Sequence, residues 1–249
     1  MREVGSGNLD ARAPILTDDE IGSLANNFNK MVDQVKDRDF IKETFGRYVP
    51  EAVATAILEN KGEFMAQHRL ATILYTDIQG FTTICESLSP DGVINLLNEY
   101  FSLLYDVINK HGGVVNQFQG DAMLVTFNIP VSIKDHAADA VLTAIEIQHA
   151  LADHIFCHGE KMVTRIGVNT GNVVAGSVGA HERLNYTVHG DAVNIAARLE
   201  GLNKKFGSLI LVSEETKTWR KKNWERALTS RQKASFLSEE NQNRLSFMK

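Results

Sequence analysis

LATILYTDIQGFTT, residues 70–83, is an apolar run that ends in Thr76-Asp77-Ile78 before Gln79-Gly80-Phe81-Thr82 turns the chain. A strand that delivers one carboxylate at its end and breaks into a glycine turn with free backbone N–H groups suits metal and phosphate. A strand-end aspartate can equally cap the next helix. The stretch therefore predicts strand, turn and helix, and its chemistry depends on what the rest of the chain supplies.

Reading towards the C-terminus, a strand over Ala71–Asp77 precedes a short helix near Thr82–Ser87. Ser89-Pro90-Asp91 opens a long helix, Asp91–Lys110, with proline in its first turn. Val93, Leu96, Leu97, Tyr100, Phe101, Leu104 and Ile108 form its apolar stripe. His111-Gly112-Gly113 stops it, and Val114–Gln119 and Ala122–Phe127 read as a hairpin around Gly120-Asp121. A helix follows over about Lys134–His154, then a strand, Thr164–Asn169. Gly171, Gly176 and Gly179 punctuate a connection holding a short strand. Gly190-Asp191 opens a helix to about Asn203, and Leu209–Val212 is a strand. The order β-α-β-β-α-β predicts an α+β fold of the ferredoxin-like, split βαβ kind, with helices packed on an antiparallel, palm-like sheet.

Reading towards the N-terminus, residues 1–16 are irregular, and Thr17-Asp18-Asp19-Glu20 reads as a capping box. Behind it Ile21, Leu24, Phe28, Met31 and Val35 recur at 3-4-3-4 spacing, the seam of a coiled-coil-like extension. The phase breaks at Asp37-Arg38-Asp39 and resumes with Phe40, Ile41 and Phe45, a place to transmit or absorb rotation. Gly46 and Pro50 are expected to break the helix.

Composition narrows the function class. A hydrophobic content of 43% and a charged content of 23% over 249 residues suit a soluble protein of one large domain with an extension. No apolar run reaches membrane-spanning length, and the N-terminus lacks a signal-peptide core. Cys85 and Cys157 show no metal or redox spacing, so a reducing, cytoplasmic setting is expected. The net charge of −5 hides a body of −11 over residues 1–216 and a tail of +6 over residues 217–249. An acidic body argues against nucleic acid as a partner and favours a site that gathers divalent cations.

Asp121, at the hairpin tip, is the candidate partner of Asp77. Two carboxylates converging at strand ends can bridge two divalent cations, and oxygen-only ligation favours Mg²⁺ or Mn²⁺. Asp121 also fits as an ordinary turn aspartate. In YTVHGDAVNIAARL, residues 186–199, Asn194 and Arg198 stand at i and i+4 on one helical face. An amide and a guanidinium so placed can hold a polyphosphate and the charge that develops at phosphorus. Alternatively Arg198 pairs with Glu200 or Glu182. Arg165, on TRIGVNTG, is a further anion-binding candidate or an ordinary exposed strand arginine.

Two resemblances sharpen this. GNLDARAPILTDDEIGSLANNFNKMVDQV resembles the second half of a HAMP domain, the dimeric helical relay of many receptors, and FGRYVPEAVATAIL resembles the segment joining such relays to an output domain. The first relay helix is not in this sequence, which suggests a truncated membrane receptor or a soluble offshoot, with an upstream membrane or sensor component acting through the relay helix. YTDIQGFT, QGDAML, RIGVNTG and NYTVHGDAVNIAARLE, in that order, resemble the class III nucleotide cyclases. No GGDEF-type stretch occurs, which disfavours a diguanylate cyclase.

The cyclase resemblance implies a head-to-tail homodimer with two sites at its interface. Asp77 and Asp121 of one subunit, helped by the Ile78 carbonyl, would hold two metals, Mg²⁺ or Mn²⁺. Arg165 and the turn amides around Gly80, Phe81 and Thr82 would hold phosphates. The other subunit would bring Asn194 to the ribose and Arg198 to the transition state. Two positions in this family read the base. Gln117 stands where adenylyl enzymes usually carry Lys and guanylyl enzymes Glu, and its amide suits either base. Thr187 matches a common adenylyl choice. The reading is an adenylate cyclase acting on ATP, with GTP use or a weak nucleotide-binding dimerisation module as alternatives. It divides the chain into a relay (1–39), a transducing linker (40–69), a cyclase domain (70–216) and an atypical basic tail (217–249) expected to be solvated and to lack a strand pair.

Overall fold

The computed structural model describes residues 4, 7–49, 53–55, 66–180, 183–219 and 245–248. They fall into two units, Met1–Ala54 and Thr55–Lys249.

In the first unit a long helix, α1, runs over Glu20–Tyr48. Its cap is Asp19, one residue before it, rather than Thr17. Asp19 Oδ1 accepts from the Ile21 and Gly22 amides at 3.0 and 3.2 Å, and Thr17 Oγ1 donates to the same oxygen at 2.5 Å. The hydroxyl thus steadies the capping carboxylate and does not cap the helix itself. The phase break at residues 37–39 does not interrupt the helix, and Gly46 lies inside it. Pro50 lies outside the described residues. Residues 8–16 run back along one side, tied by Asn29, whose amide donates to Ala13 O and accepts from Ala13 N, both at 2.9 Å. Arg12–Asp33 and Lys36–Asp10 ion pairs flank that tie. Val32 is buried, while Ile21, Leu24 and Met31 of the apolar seam stay 71%, 59% and 50% exposed.

The second unit is built on one sheet. Its strands are β1 (Gln67–Ile78), β2 (Val114–Gln119), β3 (Ala122–Phe127), β4 (Thr164–Ala180), β5 (Arg183–His189), β6 (Ile210–Ser213) and β7 (Leu245–Met248). Its helices are α2 (Phe81–Ser87), α3 (Pro90–Lys110), α4 (His136–Asp153) and α5 (Asp191–Phe206). The strand order is β2-β3-β1-β4-β6-β7, with β5 paired to β4. All pairs are antiparallel except β4–β6 and β6–β7.

Period-two alternation on β1 sorts the core into two layers. Leu74 and Ile78 point into the layer with Leu96, Tyr100, Leu104 and Ile108 of α3 and Val141, Ala144 and Ile147 of α4. Ala71 and Ile73 point the other way, with Leu124, Val173, Val188 and Ala192 and Ala196 of α5. Ser89 caps α3, accepting from the Gly92 amide at 3.2 Å, with Pro90 opening the helix. Among the described residues one face therefore carries α3 and α4, with Phe81 and Ile84 of α2 against them, and the other carries α5.

Two expectations are corrected. The strand Thr164–Asn169 and its glycine-rich connection are one strand of 17 residues. Its glycines permit close approach rather than turns: a Cβ on Gly171 would lie 2.8 Å from Ala192 Cβ, and one on Gly167 would lie 2.1 Å from Ala196 O. Gly167→Ala must push α5 off the sheet. It is expected to cost about 1–3 kcal/mol of stability, read as a lower urea midpoint. The tail, expected to contribute no strand, supplies β7 at the sheet edge beside β6, and residues 214–219 are helical.

Candidate active site

Asp77 stands one residue from the end of β1, directly opposite Arg165 on β4. Strand neighbours in register face the same way, and Arg165 Nη2 donates to Asp77 Oδ2 at 2.5 Å. On its other side, Arg165 Nε lies 2.8 Å from Glu200 Oε1 of α5, a charge contact at an angle unsuited to a hydrogen bond. Arg165 is thus not an exposed strand arginine. It is a guanidinium shared by two carboxylates.

Asp121 follows Gly120, whose φ of +65° makes the two-residue hairpin turn. The turn places Asp121 Oδ2 3.3 Å from the Ile78 amide. Burial, then repulsion from Asp77, pushes the Asp121 carboxyl up from its ordinary value. Burial, then repulsion from Asp77, raises Glu200 to about 7 although Arg165 lies beside it. Asp77, Asp121 and Glu200 thus crowd negative charge around one guanidinium.

That surplus fits a bound cation. Among the described residues no three His, Cys, Asp or Glu side chains form a complete metal cage. Two carboxylates are nonetheless what Mg²⁺ commonly takes from protein, the remaining positions falling to water, backbone carbonyl and substrate phosphate. Gly80, at φ +74°, precedes α2. The amides of Phe81 and Thr82 open its first turn, where helix N–H groups have no intrahelical acceptor.

Asn194 and Arg198 share the outer side of α5. Ala192, Ala196, Leu199 and Asn203 face the core, while Asn194 and Arg198 are exposed. The alternative pairing of Arg198 with Glu200 does not form, since Glu200 turns inward to Arg165. Glu182 lies outside the described residues.

The two candidate base readers meet. Gln117 Nε2 donates to Thr187 Oγ1 at 3.2 Å, on the part of the sheet face beyond α5. Sequence reasoning missed Glu200. Glu200 was detectable as the charged residue continuing the buried stripe Ala192, Ala196, Leu199 and Asn203.

The family described as Adenylate and Guanylate cyclase catalytic domain matches residues 64–244. The chain belongs to this family. A HAMP domain matches residues 1–37. The cyclase chain is similar to Adenylate cyclase 1 of Rhizobium meliloti, 37% identical over 215 residues, 83% of this chain and 31% of that protein. Among solved structures it resembles a bacterial light-regulated adenylyl cyclase, with a TM-score of 0.68 at 27% identity, over 76% of this chain and 57% of that one. It also resembles the guanylyl cyclase Cya2, with a TM-score of 0.52 at 39% identity, over 55% and 71%. The cyclase chain spans about a third of the length of the curated relatives it matches, 37% and 31% in two cases. No described helix is long and apolar enough to cross a membrane.

Proposed function

We propose that this cyclase domain is an adenylate cyclase, forming 3′,5′-cyclic AMP and pyrophosphate from ATP by in-line attack of the 3′-hydroxyl on the α-phosphorus. The observation that carries the reading is the pairing of Asp77 and Asp121 at one end of the sheet, with a single shared guanidinium to offset them. Bound there, two divalent cations would acidify the attacking hydroxyl and neutralise the triphosphate.

The chain's own residues do the rest. Asp77, Asp121 and the Ile78 carbonyl hold the cations, and Arg165 keeps the Asp77 carboxylate aimed. The amides around Gly80, Phe81 and Thr82 take phosphate oxygens. Asn194 and Arg198 lie exposed and reach the substrate of a second subunit, orienting ribose and stabilising charge at phosphorus. The working unit is a homodimer. The relay helix, with its exposed Ile21, Leu24 and Met31, passes a signal from an upstream component through the linker over residues 40–69. The catalytic unit is taken as residues 70–216, with 217–249 as a tail.

Thr187 supports ATP. Gln117 supports a second reading, GTP, because an amide donates or accepts with equal ease. Incubation with MnATP and with MnGTP, followed by assay of both cyclic nucleotides, tests the pair. Cyclic AMP as the main product is expected. Cyclic GMP from MnGTP in excess over cyclic AMP from MnATP establishes the second reading, and bound nucleotide with neither product overturns both.

A further inference from the structure

Arg165 Nε and Glu200 Oε1 lie 2.8 Å apart, both shut off from water, and neither has a hydrogen-bond partner among the described residues. A buried donor and a buried acceptor of opposite charge at this separation gain by aligning, and each costs stability while it is left unbonded. What holds them off line stands on the other side of the guanidinium. Arg165 Nη2 donates to Asp77 Oδ2 at 2.5 Å, and that bond sets the plane in which the guanidinium lies.

Of the two carboxylates, Glu200 is the fixed one. α5 lies so close to β4 that a Cβ on Gly167 would come within 2.4 Å of the Glu200 amide nitrogen. Asn203 ties the same turn of α5 to the strand, its amide donating to Ile166 O at 3.0 Å and to Glu200 O at 3.1 Å. Asp77 is the looser partner. Its side chain is 27% exposed against 10% for Glu200, and it stands near a strand end with Asp121 close by. A carboxylate that turns its oxygens to a divalent cation has less to offer a guanidinium. Once Asp77 lets go, a small rotation of Arg165 brings the orphaned Nε–H onto Glu200 Oε1.

We propose that Glu200 is a positioning residue for the reaction: it takes over Arg165 when Asp77 turns to the cations, so that Nε–H is bonded to Glu200 and the two Nη groups face the phosphates. This rests on the cation site read above at Asp77 and Asp121. The guanidinium holds Asp77 in place before the site is loaded, and Glu200 retains it afterwards. Relief of two unsatisfied buried atoms favours the loaded arrangement, so cation and phosphate binding assist each other through Arg165. Glu200 itself touches neither.

The test follows the Arg165 Nε–H resonance of the isotope-labelled full chain as Mg²⁺ and 3′-deoxy-ATP, which lacks the attacking hydroxyl, are added. Arg165→Lys identifies the resonance by its loss. A downfield shift on loading is expected in the wild-type chain, and no such shift in Glu200→Gln. In calorimetry on the same samples, Glu200→Gln is expected to weaken binding of the analogue about tenfold, the worth of one charge-assisted hydrogen bond. On an Arg165→Gln background the same change should cost less than about twofold. A role of Glu200 in packing or in the general field of the site changes binding by the same factor on both backgrounds, and that outcome overturns the inference. So does a loaded wild-type chain whose Arg165 resonance does not move downfield, a result that needs no Glu200 variant to fold. No binding of Mg²⁺ with the analogue, or binding that Asp77→Asn leaves unchanged, overturns the cation site itself, and the role of Glu200 goes with it.

Discussion

Asp77→Asn is expected to lower kcat by roughly three orders of magnitude or more, since several kcal/mol of charge stabilisation leave with the carboxylate and each 1.36 kcal/mol is tenfold. The isosteric amide keeps the shape of the strand end and can still accept from Arg165, so the fold should survive. The side chain is 27% exposed, which limits the desolvation cost of leaving Arg165 with Glu200 as its remaining anion. The change thus separates chemistry from architecture. Urea midpoint and dimer fraction should stay close to wild type while cyclic nucleotide formation disappears. Retention of more than a tenth of wild-type kcat would remove Asp77 from the reacting centre, whatever the fold of the domain.

The elements that sequence reading placed well are those with local punctuation. β2 and β3 were placed to the residue because Gly120-Asp121 permits only a tight hairpin. Ser89-Pro90 likewise marked the start of α3. β4 is longer than expected because glycine in a sequence reads as a turn residue. At Gly167 and Gly171 it instead makes room for α5, a tertiary reason with no local trace. The cap at Asp19 differs from the predicted Thr17 because three oxygen-bearing side chains follow one another there and only geometry selects among them. Arg165 shows the same limit at the site. The sequence offered an anion binder, but not that cross-strand register would hand it Asp77 and that a helix stripe would hand it Glu200. The hydrogen bond between Gln117 and Thr187 joins distant segments that only the sheet brings together.

Asn194→Ala and Arg198→Ala are each expected to lower kcat by about 10²–10³-fold, the usual loss on removing one preorganised donor from a developing charge. Their placement makes a stronger prediction. Both are exposed on α5, on the side turned away from its core-facing residues Ala192, Ala196 and Leu199. Asp77 instead is tied through Arg165 to the inward-facing Glu200. If a site combines Asp77 of one subunit with Arg198 of another, two inactive variants must complement. Co-expression of Asp77→Asn with Arg198→Ala chains in equal amounts should restore about a quarter of wild-type activity, since random pairing makes half the dimers mixed and each mixed dimer holds one intact site of two. A double variant with both changes in one chain, co-expressed with wild type, should retain intact sites in the wild-type homodimers alone. Each of its mixed dimers carries two damaged sites, one altered at Asp77 and the other at Arg198. Activity of the two single variants that never exceeds the sum of their separate residual rates would place Asp77 and Arg198 in the same subunit's site, and the requirement for a dimer would fall with it.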